Sequence, residues 1–134
     1  MTCLEDTYHF LEPKIYTGEV NDFTIIHAIV QRPTDNKRHP HAVVYNKKTG
    51  NIHEVSNIFK DKNVIMPFML WIKLGKVSNV HQYTFWEYNA KLLETETWEF
   101  WDLAKKGIIC PLDEWREGIR EARKENTEKG SPNL

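Results

Sequence analysis

Between residues 23 and 56 the chain repeats one pattern: a run of apolar, often β-branched residues, then a cluster of turn formers. Phe23 to Gln31 reads as a strand, and Arg32-Pro-Thr-Asp-Asn-Lys-Arg38 has turn chemistry. His41 to Tyr45 and Ile52 to Ser56 flank Lys47-Lys-Thr-Gly50, where the glycine supplies the permissive backbone a hairpin loop needs. A four-residue loop sets the register: Asn46 faces Asn51, Val43 faces Glu54 and His41 faces Ser56. Glu54 then shares a face with His41 at the diagonal position, where Cβ atoms are roughly 7–8 Å apart and long side chains meet. A loop one residue longer or shorter would put His53 on that face instead. His39 points the same way as His41 wherever the strand begins early enough.

Helical patterns flank this block. Residues 2 to about 16 place Leu4, Tyr8, Leu11 and Ile15 at helical spacing, with Thr2 as N-cap and Pro13 near the end. Met66 to about Leu74 reads as a short buried helix with Pro67 in its first turn and Gly75 as its stop. Val77 to Tyr83 has strand character. Thr84-Phe-Trp-Glu87 has capping-box spacing ahead of a helix reaching about Leu93. Trp98 to Lys105 and Leu112 to Arg123 complete the helical candidates. The order predicts an α+β fold, an N-terminal helix packed on a small antiparallel sheet and followed by C-terminal helices.

Size and charge narrow the function classes. At 134 residues the chain is expected to form one domain, residues 1 to 123, burying roughly two-thirds of its unfolded surface. Residues 124 to 134 are polar and read as a disordered tail. With 18 basic and 19 acidic residues the net charge is −1, which lacks the basic field of a nucleic-acid binder. The longest apolar run, Val64 to Ile72, falls far short of the ~20 residues that cross a bilayer, so no membrane association is expected. The first residues lack the charged-then-apolar pattern of a secretory leader. The expectation is an intracellular, cytoplasmic protein with Cys3 and Cys110 as free thiols.

Chemistry-bearing residues converge on one arrangement. A carboxylate holding an imidazole is half of a nucleophilic device, and a thiol on the other ring nitrogen completes it. Cys3 falls at the start of the first helix, where free N–H groups and the helix dipole favour thiolate. Cys3 at a helix start, His27-Ala-Ile-Val, His41-Ala-Val-Val-Tyr and Ile52-His-Glu-Val-Ser-Asn57 come in an order that resembles the small papain-like and transglutaminase-like proteins. Met66-Pro67, Leu70 to Leu74, Val80-His-Gln-Tyr-Thr84 and Trp101-Asp-Leu103 extend the resemblance to a group of short bacterial and phage proteins with that core. It covers roughly Cys3 to Leu103 by pattern, with Val43 where the family usually has Trp and Glu54 where Asp is commoner. The resemblance implies Cys3 as nucleophile, His41 as general base and acid, and Glu54 as the group orienting His41. It implies a peptide or other amide-containing substrate, hydrolysis or acyl transfer, and no cofactor.

Other readings stand beside it. A metal site would draw on His39 and His41 with His53 or His27, and carboxylates such as Glu54. Cys3 is otherwise an inert thiol, His41 a satisfied core histidine and Glu54 a solvent-facing acid. Trp86, Trp98, Trp101 and Trp115 read most simply as packing between C-terminal helices, or as a binding strip. The latter would suit a non-catalytic protein-interaction domain. Cys110, next to Pro111, reads as a core residue.

Overall fold

The computed structural model describes residues 3–31, 36–55 and 64–109. Two compact units divide the chain, residues 1–100 and residues 101–134. The first holds helix α1 (Cys3–Leu11), 3-10 turns at Glu12–Ile15 and Glu19–Asp22, strands β1 (Phe23–Gln31), β2 (Arg38–Asn46), β3 (Asn51–Glu54) and β4 (Val64–Pro67), helix α2 (Phe68–Leu74), strand β5 (Ser78–Thr84) and helix α3 (Phe85–Thr95). In the second, helix α4 (Trp101–Lys105) buries Leu103. The five strands form one antiparallel sheet in the order β4-β3-β2-β1-β5, so the fold is α+β with an N-terminal helix. No described helix is long and apolar enough to cross a membrane.

Several elements follow directly from local chemistry. All but the last residue of β1 is buried, as its nearly unbroken apolar run requires of an interior strand. The loop between β2 and β3 is tied by Asn46, whose Oδ1 accepts from the Lys48 and Thr49 N–H groups, while Gly50 sits at φ +77°. That geometry fixes Asn46 opposite Asn51 and Val44 opposite His53, the register that a four-residue loop predicts. Thr84 caps α3 as its spacing foretells: its hydroxyl accepts from the Glu87 N–H, and the Glu87 carboxylate accepts from the Thr84 N–H.

The structure corrects other expectations. The first α-helix stops at Leu11 rather than near residue 16 and tightens into the Glu12–Ile15 turn, because Pro13 has no N–H to continue the ladder. Met66 and Pro67 are strand, not helix: Met66 pairs with Ile52, and Pro67 precedes α2 in an extended conformation. Nor is α2 a buried helix, since Trp71 is its one buried residue while Met69 and Leu74 are 70% and 63% exposed. The helix expected from Trp98 begins at Trp101. Thr2, residues 32–35, Ser56, Asn57, Cys110, the expected helix at Leu112 to Arg123 and the tail lie outside the described residues.

Antiparallel partners share a face, and alternate residues switch faces. Ile26, Ala28, Val30, Val43 and Ile52 therefore line one side of the sheet, where they pack with Trp71 and with Tyr45, Met66, Phe68, Ile72 and Val77 around them. Phe23, His27, Val44 and His53 line the other. There Phe10 of α1 meets Phe23 and His53, and Tyr88 of α3 meets His27.

Candidate active site

His41 and Glu54 occupy the face of Val43 and Ile52, one on β2 and the other at the end of β3. The diagonal spacing becomes a contact: His41 Nε2 lies 2.8 Å from both carboxylate oxygens of Glu54. Their side chains are only 12% and 10% exposed, so the pair is shielded from the water that weakens surface ion pairs. Glu54 is a buried acid, not a solvent-facing one.

Cys3, the first residue of α1, lies near enough to His41 to act on its ring. Burial alone disfavours a charged imidazole. Hydrogen bonds to Cys3 and Glu54, together with negative charge on both, outweigh burial and raise the His41 pKa to about 10. The three residues singled out from the sequence are thus neighbours, with the imidazole hydrogen-bonded to the carboxylate and the sulfur beside the ring. Such a series polarises a thiol, stores a proton on the ring and fixes the ring's orientation.

The histidines of the metal reading do not converge. Among the described residues no group of three or more His, Cys, Asp or Glu side chains is placed to hold a metal ion. The reason is the register. His53 pairs with Val44, which turns it to the face opposite His41, and its ring lies against Phe10 and Phe23. Burial and the nearby charge of Lys14 lower its pKa. His27 pairs with Ala42, is fully buried, and has Nε2 3.2 Å from the Tyr88 hydroxyl. His39 remains beside His41, with ring centroids 6.0 Å apart.

The tryptophans divide as well. Trp98 packs edge-on against Tyr8, but Trp86 is half exposed with its indole N–H 3.4 Å from Asn21 Oδ1, so it is not simple interhelical packing. Trp115 lies outside the described residues. Tyr88 is the residue that sequence reasoning missed. It stands three positions after Phe85 on an apolar helix face, where a tyrosine looks like ordinary packing, and no local signal marks its hydroxyl. Compared with known protein families, curated proteins and solved structures, the chain matches none.

Proposed function

We propose that this protein is a small cysteine-dependent enzyme acting on an amide or related acyl bond, with chemistry of the papain-like and transglutaminase-like kind. The observation that supports it is the Cys3–His41–Glu54 series, in which an imidazole shielded from water is hydrogen-bonded to a buried carboxylate and has a sulfur beside it. The chemistry requires an ion pair, with the proton on His41 and the negative charge on the sulfur. Cys3 Sγ attacks the carbonyl carbon, the C–N bond breaks, and His41 delivers its proton to the departing amine, leaving a thioester. Water or a second amine then gives a proton to His41 as it attacks the thioester, and collapse releases the acyl group and restores the pair. Glu54 keeps the ring aligned and stabilises its charged form. The oxyanion needs two donors, of which the Cys3 backbone N–H, in the first turn of α1, is one candidate.

The test is alkylation of Cys3 by iodoacetamide, followed by peptide mass spectrometry to separate it from Cys110, across pH 5 to 10. The reading requires fast alkylation well below the ~8.5 pKa of a free thiol, and loss of that reactivity in His41→Ala. A Cys3 that follows the free-thiol curve in the folded wild type overturns it and favours a non-catalytic interaction domain.

A further inference from the structure

Behind the first turn of α1 lies a second polar group that the proposed chemistry does not use. Tyr88 is fully buried, and so are His27 and Thr7. The Tyr88 hydroxyl sits 3.2 Å from His27 Nε2 and 3.5 Å from the backbone carbonyl of Leu4, the residue after the proposed nucleophile. Thr7 donates to the same Leu4 carbonyl at 3.0 Å. The cluster joins three elements: His27 from the interior strand β1, Tyr88 from α3, and the first turn of α1. Rings hold it in place on several sides, with Phe100 and Tyr83 edge-on to His27 and Tyr8 stacked on Tyr88.

We infer that the His27–Tyr88 pair is a positioning device for Cys3, a buried hydrogen-bonded strut that fixes the first turn of α1 and so sets where the sulfur meets His41. The inference rests on the proposed thiol chemistry. The Tyr88 hydroxyl, bonded to the carbonyl of the second residue of this nine-residue helix, supplies a hold on its first turn. Desolvation pushes the Tyr88 pKa upward and the charge of Cys3 adds to it, so the phenol stays a neutral hydrogen-bonding group near the sulfur rather than a competing anion. Tyr88 and His27 touch no reacting atom in this scheme. They act through the placement of α1.

Tyr88→Phe removes the hydroxyl and keeps the ring, so it separates the strut from the packing. His27→Gln keeps a hydrogen-bonding side chain opposite Tyr88 and serves as the milder partner. In folded Tyr88→Phe, iodoacetamide alkylation of Cys3 at pH 6 should fall roughly tenfold or more, the scale expected when reacting groups shift by a fraction of an ångström to an ångström. His27→Gln should retain most of the wild-type rate. A group that served only structure would lower the melting temperature and leave the pH profile of Cys3 unchanged. A folded Tyr88→Phe with the wild-type profile overturns the inference, and so does unfolding of both variants, because the pair would then hold the whole fold rather than aim the sulfur. His41→Ala distinguishes the two levels. If it too leaves the profile untouched, the thiol–imidazole reading fails; if it alone changes the profile, only the strut fails.

Discussion

His41 and His53 lie on adjacent strands of one hairpin, yet they titrate in opposite directions. The ring of His41 falls beside a buried carboxylate and a sulfur, which raise its pKa to about 10 against the cost of burial. His53 falls on the opposite face among Phe10 and Phe23, where burial and Lys14 lower its pKa. One residue of register separates the two environments, since Glu54 follows His53 immediately. The difference teaches that in this protein the charge state of an imidazole is decided by the face of the sheet it occupies, and the loop at residues 47–50 chooses that face.

The strongest way to break the contrast is Glu54→Ala, which leaves the His41 cation buried beside one partner fewer. Unfolding by urea at pH 6 should show a loss of about 3 kcal/mol, the lower end for breaking a buried ion pair. A loss below about 1 kcal/mol would place the pair among surface salt bridges and remove the contrast.

A second measurement uses pH. A group whose pKa is raised on folding stabilises the native state fully below its unfolded value and loses that contribution as pH climbs through the folded value. His41 therefore contributes below about 6.5 and its contribution fades toward about 10. A group whose pKa is lowered contributes fully above its unfolded value and loses that as pH falls through the folded one, which is the case for His53. Wild-type stability should decline from pH 6.5 to 10 relative to His41→Ala, and decline on acidification relative to His53→Phe. Parallel profiles for wild type and His41→Ala would contradict the assignment.

Smaller effects sharpen the picture. Thr84→Ala removes the side-chain acceptor of the capping box and should cost about 1 kcal/mol in urea unfolding, with the His41 titration unchanged. Lys14→Met removes the lesser of the two causes acting on His53, so its NMR titration should move upward yet stay below the usual histidine value, because burial remains. A downward shift would show that Lys14 acts through the packing of its ammonium over Phe10, 4.8 Å from the ring centroid, rather than through charge.

Much of the fold was legible because its signals are local. A run rich in β-branched residues marks β1 over Phe23–Gln31, and Asn46 and Gly50 specify the loop that sets the β2–β3 register. Thr84 and Glu87 announce the start of α3. The stretch Val64–Leu74 was not legible in the same way. An unbroken apolar run has no period to separate strand from helix, and only the pairing of Met66 with Ile52 decides that its first part is β4. Within the candidate site, the His41–Glu54 diagonal followed from that register, whereas the hydroxyl of Tyr88 carried no mark in the sequence.

By itself, then, the sequence determined the alternation that puts a carboxylate diagonal to an imidazole, because side-chain direction in a strand depends only on parity. Tertiary structure decided what neither parity nor period can encode: that α1 brings Cys3 to His41, that α3 brings Tyr88 to His27, and that His53 is left among phenyl rings. These contacts join residues 30 to 61 positions apart in the chain. They exist only once the helices have packed on the sheet and water has been excluded, which is also what makes the charges within the series strong.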